Sequence, residues 1–89
     1  MAKYRKRPII VDAEQWNPDS LETPKPHEPD RLGVIWCYSP MGQVCSGIIE
    51  TLEGDHEIQI GDWVVTGIKG EKYPVKPDIF EATYEKVEG

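Results

Sequence analysis

The sequence predicts a mainly β (α+β) domain: a strongly bent antiparallel sheet or a small, partly open barrel of about five to seven strands, with one short C-terminal helix. Three observations support this fold class. Apolar and β-branched residues alternate with polar ones along most of the chain. Glycine-containing turn sequences separate these runs at the spacing of β-hairpins. A helical period occurs only near the C-terminus.

Residues 1–89 are expected to form a single domain. A chain of this length buries only about 60–65% of its unfolded surface and has no room for a large internal cavity. The stretch 17–31 interrupts the strand pattern and is predicted to be a proline-rich loop, because prolines lack backbone donors and turn the preceding residues away from helix. A loop of about fifteen residues in a compact domain is either functional or poorly ordered.

The first strand is predicted over Ile9–Trp16, where apolar and acidic side chains alternate between two faces. A hairpin follows, with Gly33–Ser39 and Gln43–Leu52 as its strands and a Pro-Met-Gly sequence as its loop. That loop predicts a register in which Cys37 lies directly opposite Cys45.

Two further hairpins complete the strand pattern. The second has Gly54-Asp55 as its turn, which predicts three cross-strand pairs: Ile49 with Ile60, Thr51 with Ile58 and Glu50 with Gln59. The third has Lys69-Gly70 as its turn and joins a strand over Trp63–Ile68 to one over Glu71–Val75. It predicts the pairs Val64 with Val75 and Thr66 with Tyr73.

The C-terminal segment combines an edge signal with a helix signal. Pro74 lacks a backbone N–H, which predicts that the last strand of the third hairpin is an edge. Asp78 followed by Glu81 matches a capping box, so a helix is predicted from Ile79 to about Tyr84. Residues 85–87 are predicted to return as a short strand.

Charge limits the classes of partner. Sixteen acidic and 10 basic residues give a net charge of −6, which argues against binding to a nucleic-acid polymer or to an anionic membrane surface. Four cations among residues 1–7 give that segment +4 and leave −10 for the rest. No run of residues has the length of about 18 that a membrane span needs, and no signal-peptide core is evident. A cytoplasmic protein is therefore expected.

The residues that could carry chemistry show no catalytic pattern. His27 and His56 lack the spacing of metal ligands, so solvated histidines are expected. Cys37 lies in an uncharged stretch, and both cysteines are expected to be buried, inert thiols. The sequence therefore predicts no enzyme activity, no metal site and no cofactor. A small hydrolase that uses Asp62, Glu71 or Cys37 is the weakest alternative.

Aromatic residues next to cations form a binding pattern. Such cations could contact phosphates while the rings stack on a base. The candidate ligand-binding residues are Arg5, Arg7, Trp16, Trp63, Tyr73 and Lys76. Taken one at a time, these residues also suit structural roles, and Trp36 and Trp63 are expected to contribute to the core.

Two blocks of sequence are distinctive. The first is YRKRPIIVDAEQW at residues 4–16. The second comprises TLEG at 51–54, GDW at 61–63 and GIKGEKYPVKPDIFEATYE at 67–85. Together they span about half of the chain and resemble a family of small uncharacterised proteins encoded by bacteriophages and prophages. The resemblance implies a phage accessory role, such as countering or redirecting a host system.

The leading hypothesis is a non-enzymatic phage or prophage accessory protein that binds and blocks a host protein, such as a component of host defence. The proline-rich loop and the edge strand fit a protein partner, and an edge strand would also support a homodimer. The first alternative is a sponge for a small anionic ligand, namely a phosphate-bearing nucleotide or signalling molecule. DNA mimicry is less favoured, because the acids alternate with apolar residues along strands.

Overall fold

The structure is a computed structural model that describes residues 1–5 and 8–87. Its elements, in chain order, are β1 (Asp12–Gln15), a 3-10 turn (Pro18–Ser20), β2 (Val34–Tyr38), β3 (Val44–Thr51), β4 (Gly54–Gln59), β5 (Trp63–Thr66), β6 (Lys72–Val75) and α1 (Pro77–Thr83). The strands form two antiparallel three-stranded sheets, ordered β1–β5–β6 and β2–β3–β4. The mainly β class with one short C-terminal helix is confirmed, and the two sheets do not close into a barrel. In the described part of the chain, no helix is long and apolar enough to cross a membrane.

The hydrophobic core joins the two sheets. Its buried members come from both sheets and from the segments beside them: Trp16, Leu32, Val34, Ile49, Ile58 and Val64. The Trp16 side chain lies over Gly47 of β3, where an added Cβ would be 3.0 Å from Trp16 Cη2. A glycine in the middle strand therefore makes the space that the largest core side chain occupies.

β1 is shorter than the predicted strand over Ile9–Trp16. Only Asp12–Gln15 pairs, because its partner β5 is itself four residues long. Ile9 and Ile10 lie before the strand and are exposed, at 53% and 75%.

The β2–β3 hairpin has the predicted Pro-Met-Gly loop, with Gly42 at φ +84° and its N–H donating to the Ser39 carbonyl at 2.9 Å. A β-bulge then shifts the register between Cys37 and Tyr38, so that Cys37 pairs with Ser46. The prediction that Cys37 faces Cys45 is therefore wrong. Cys45 is exposed and Cys37 half-buried, so the expectation of two buried thiols is also wrong. The sequence did not indicate the extra residue that the bulge inserts.

The β3–β4 hairpin turns earlier than predicted. Thr51 pairs with Gly54, which leaves Leu52 and Glu53 as the turn residues. The Thr51 hydroxyl stabilises this turn by donating to the Gly54 carbonyl at 2.7 Å and accepting the Glu53 N–H at 3.1 Å. The three predicted pairs are wrong. Ile49 faces His56 instead of Ile60, Thr51 faces Gly54 instead of Ile58, and Glu50 faces Asp55 instead of Gln59. Because each partner shifts by an even number of residues, Ile49 and Ile58 stay on the core face. Ile60 lies beyond β4 and is 51% exposed.

The β5–β6 hairpin has one more loop residue than predicted. Gly67 N–H donates to the Glu71 carbonyl at 2.7 Å, which closes a loop over residues 68–70. The predicted pairs of Val64 with Val75 and Thr66 with Tyr73 are wrong by one residue: Val64 faces Pro74, and Thr66 faces Lys72. The edge position of Pro74 is confirmed, because β6 pairs with β5 alone among the described strands.

Helix α1 begins at Pro77, with Lys76 as an N-cap that makes no side-chain capping bond. The predicted cap at Asp78 is wrong, since Asp78 lies in the first turn of the helix. Proline at the first helical position has its backbone angle already set and loses no hydrogen bond there. Residues 85–87 form no strand.

Candidate functional site

The proline-rich loop is fastened to the core by the carboxylate of Asp30. Its Oδ2 atom accepts the indole N–H groups of Trp16 at 3.0 Å and Trp36 at 2.7 Å. Its Oδ1 atom accepts the backbone N–H groups of Leu32 at 2.8 Å and Val34 at 3.1 Å. Hydrogen bonds to a charged acceptor are stronger than neutral ones. We call this arrangement the Asp30 clamp; it joins the end of the loop to the core and to β2.

The tip of the loop, residues 25–29, is exposed throughout. The Glu28 N–H donates to the Lys25 carbonyl at 3.0 Å, so Lys25–Glu28 is a β-turn with Pro26 in its second position. His27 follows at φ +67°, and it is the only non-glycine residue with a positive φ in the described ranges. Proline followed by a positive φ is the pattern of a type II turn, whose third position normally holds glycine or asparagine.

Beside the tip, loop residues line an open cleft of about 490 Å³. Its lining residues are Ser20, Leu21, Glu22, Thr23, Pro24, Pro29, Asp30 and Arg31. Arg31 forms a two-pronged ion pair with Glu14 of β1, one of whose hydrogen bonds measures 2.9 Å. The Arg31 hydrogen bond lowers the pKa of the Glu14 carboxyl. The pair is exposed and contributes little stability, but it links the base of the loop to the other sheet.

The predicted residues Trp63 and Tyr73 lie in an aromatic cluster with helix α1. Trp63 stacks on Phe80, with ring centroids 4.0 Å apart, and Phe80 stacks on Tyr84, with centroids 4.9 Å apart. The hydroxyl oxygens of Tyr73 and Tyr84 are 3.4 Å apart. We call Trp63, Tyr73, Phe80 and Tyr84 the aromatic cluster. Its rings hold α1 against the β1–β5–β6 sheet.

The hydrogen bond between the Tyr73 and Tyr84 hydroxyls is the main cause that raises the pKa of Tyr73 to about 12, and burial acts in the same direction. An unfolded tyrosine has a pKa of about 10. The raised value therefore adds stability that is complete below about pH 10 and is lost as the pH rises through about 12.

We expect the Tyr84→Phe variant to lose this late ionisation, because Tyr73 then has no phenolic partner. Titration of tyrosinate absorbance in the near ultraviolet would show one step moving to lower pH. Tyr38→Phe is the matched control, since Tyr38 lies outside the aromatic cluster, and its late step should remain. A late step that survives in Tyr84→Phe would show that the Tyr84 hydroxyl is not the main cause of the raised pKa of Tyr73.

Lys76 has a structural partner. Its Nζ atom lies 3.0 Å from Oδ2 of Asp62, whose side chain is only 5% exposed and which also accepts the Gln59 N–H at 2.9 Å. A buried carboxylate needs such compensation. A phosphate at Lys76 would compete with this ion pair, so the position favours a structural role for Lys76 over the predicted ligand-binding role.

The remaining predicted ligand residues are dispersed. Trp16 is fully buried in the core. A ring without an accessible face cannot stack on a base, so the predicted stacking role does not fit its position. Arg5 is exposed in the segment before β1, and Arg7 lies outside the described residues. Trp36 and Trp63, expected in the core, are both half-buried. Trp36 packs against the core, whereas Trp63 belongs to the aromatic cluster.

Residues considered for hydrolytic or metal chemistry have other contacts. Asp62 binds Lys76, and Glu71 accepts the Lys69 N–H at 3.1 Å within the β5–β6 loop. Cys37 lies in β2 with its carbonyl accepting the Cys45 thiol at 3.4 Å. Within residues 1–5 and 8–87, no group of three or more histidine, cysteine, aspartate and glutamate side chains could hold a metal ion.

Comparison of the chain with protein-family models, curated proteins and solved structures finds no match. The clamped loop is therefore the candidate site on geometric grounds. Sequence reasoning did not single out Asp30, although an aspartate three residues before Gly33 is typical of a turn. That turn is present, with the Gly33 N–H donating to the Asp30 carbonyl at 3.0 Å. The convergence of two indoles on the same carboxylate had no local signal.

Proposed function

We propose that this chain is a non-enzymatic binding protein that inserts the tip of its proline-rich loop into a groove of a partner protein and blocks it. The observation that carries the proposal is His27, held at φ +67° on the exposed tip of a loop fastened by the Asp30 clamp. In line with the sequence resemblance, the partner is a host protein and the chain a phage or prophage accessory protein.

The clamp supports this function through conformational entropy. A flexible loop loses its freedom when it binds, whereas a loop already fixed in its bound shape avoids most of that cost. Binding residues are commonly placed on loops held by a rigid scaffold. The Asp30 clamp and the Arg31–Glu14 ion pair provide such a scaffold at the base of this loop.

The backbone at the tip supports a role for the His27 side chain. A histidine in the left-handed region is less stable than glycine by about 1 kcal/mol. Backbone conformations of this kind concentrate at functional sites, where the side chain is needed for something other than folding. Because the tip is a turn rather than an extended polyproline segment, its partner should offer a short groove that accepts a turn.

The test is affinity capture from a bacterial host lysate, quantified by mass spectrometry. We expect the wild-type chain to retain a specific protein and His27→Gly to retain it at least about tenfold less. His27→Gly should fold at least as stably as the wild type, since glycine suits a positive φ. A loss of partner binding in this variant would then not be explained by a loss of folding.

The matched control replaces Leu52-Glu53, the exposed turn of the β3–β4 hairpin, by Asn-Gly. This variant changes another exposed turn and should retain the partner. If every captured protein binds His27→Gly as well as it binds the wild type, the proposed function is wrong.

A further inference from the structure

We propose that Cys37 and Cys45 form a redox modification site, in which oxidation joins the two thiols in a disulfide within one chain. Both cysteines are free thiols, Cys37 half-buried and Cys45 exposed. They lie on β2 and β3, on either side of the hairpin turn, and neither side chain takes part in the Asp30 clamp or the loop tip. The site is therefore independent of the binding function, and each proposal can fail without the other.

The first support is a direct contact across the hairpin. The Cys45 thiol donates to the Cys37 carbonyl oxygen at 3.4 Å, so the Cys45 sulfur lies against the Cys37 backbone. The β-bulge explains this contact. The pairing of Cys37 with Ser46 is followed by a register shift that leaves Cys45 unpaired. Because a bulge sets two residues opposite one, Cys45 shares with Ser46 the position that faces Cys37.

The two side chains leave the sheet on the same face. Val34 of β2 is buried in the core, and side chains alternate along a strand, so Cys37 points to the opposite, outer face. Val44 of β3 packs against the core, so its neighbour Cys45 also points outward. The two thiols therefore lie on one side of the sheet, next to each other.

The spacing of the two strands suits a disulfide. The backbone groups of Val34 bond outward to Asp30, so by alternation those of Cys37 point at β3. Residues that are hydrogen-bonded across an antiparallel ladder have Cα atoms about 5.5 Å apart, and a disulfide spans Cα separations of about 4.4–6.8 Å. Rotation of the two side chains is then enough to bring the sulfur atoms together.

The oxidant in this proposal is a small disulfide such as oxidised glutathione, and the reaction is thiol–disulfide exchange. The exposed Cys45 thiolate attacks one glutathione sulfur and forms a mixed disulfide, and the first glutathione leaves as a thiolate that takes up the proton lost by Cys45. The Cys37 thiolate then attacks the Cys45 sulfur, and the second glutathione leaves with the proton lost by Cys37. Two cysteine thiols are oxidised, and one glutathione disulfide is reduced to two thiols.

Proximity favours this disulfide over one between two chains. A thiol held beside its partner acts at an effective concentration of about a millimolar or more, far above that of a second chain in dilute solution. The product is a covalent ring over residues 37–45 that encloses the hairpin turn. Such a ring restricts the unfolded chain, so the oxidised form should be the more stable one.

Mass spectrometry of the intact chain after incubation with oxidised glutathione tests the chemistry. We expect the dilute wild type to lose the mass of two hydrogen atoms, to stay monomeric and to retain no glutathione. Cys37→Ser keeps the exposed thiol of Cys45 but lacks the thiol that displaces glutathione. It should retain at least about tenfold more glutathione than the wild type. A wild type that retains glutathione as Cys37→Ser does, or that becomes a disulfide-linked dimer, would overturn the proposal.

Thermal unfolding of the wild type tests whether the native hairpin accommodates the disulfide. We expect the oxidised form to melt at least about 4 °C above the reduced form. A dithiol reductant should return the melting temperature to its reduced value. Cys45→Ser, which lacks one of the two thiols, should melt at the same temperature after both treatments. Equal melting temperatures of the oxidised and reduced wild type would contradict a disulfide that fits the folded hairpin.

Discussion

The Asp30→Ala variant should lose about 3 kcal/mol of unfolding free energy, because the indole N–H of Trp16 would be left buried with no acceptor. Three more N–H groups lose the same acceptor, from Trp36, Leu32 and Val34. The Trp36 indole is only half-buried, so water can replace part of what the carboxylate provides there. A domain of this size is stable by about 5–10 kcal/mol, and the loss would remove a large fraction of that.

Urea denaturation of Asp30→Ala and of Asp19→Ala gives the measurement and its control. Asp19 is an exposed aspartate of the same loop, so its replacement makes the same change in charge. We expect Asp19→Ala to stay within about 0.5 kcal/mol of the wild type. Equal stabilities of the two variants would show that the Asp30 clamp contributes no more than a surface charge.

The second large effect is expected at Gly47 in the middle strand of the β2–β3–β4 sheet. A Cβ at this position would lie 2.3 Å from Val34 Cγ1 and 3.0 Å from Trp16 Cη2. Neither neighbour has room to retreat, since both side chains are fully buried. Overpacking of this kind costs about 1–3 kcal/mol, and we expect Gly47→Ala to fall in that range in chemical denaturation.

A double-mutant cycle with Val34→Ala identifies the cause. Val34→Ala removes the atom nearest to the new methyl group, so Gly47→Ala should cost less in that background than in the wild type. Ser46→Ala, at the neighbouring position of β3, should change the stability little. A cost of Gly47→Ala that is the same in both backgrounds would place the strain elsewhere than at Val34.

Local sequence was a good guide wherever a few neighbouring residues determine the backbone. The Pro-Met-Gly loop of the β2–β3 hairpin followed from the dihedral angles that proline and glycine favour. The edge position of β6 followed from the missing N–H of Pro74. Register was predicted less well. The bulge between Cys37 and Tyr38 and the turn stabilised by the Thr51 hydroxyl depend on small free-energy differences between competing local structures.

The candidate site was less accessible to sequence reasoning than the fold. The segment over residues 17–31 was identified as a loop, functional or poorly ordered, from its prolines. Predicting that Asp30 holds this loop against the core would require the three-dimensional positions of Trp16 and Trp36, which lie on either side of Asp30 in the chain. The aromatic cluster is a second example. Trp63 and Tyr73 contact helix α1 there, and the sequence did not indicate that this helix packs on them.

The sequence by itself determined a mainly β chain with one short helix, a long proline-rich loop and an uncharged stretch over residues 32–49 within an acidic chain. These features depend on backbone preferences and on the spacing of side chains, which act over a few residues. The tertiary structure decided that the strands form two sheets, that Trp16 belongs to the core and that Lys76 compensates Asp62. Those outcomes depend on contacts between distant residues, because a buried carboxylate or indole must find its partner wherever the fold brings one within hydrogen-bonding distance.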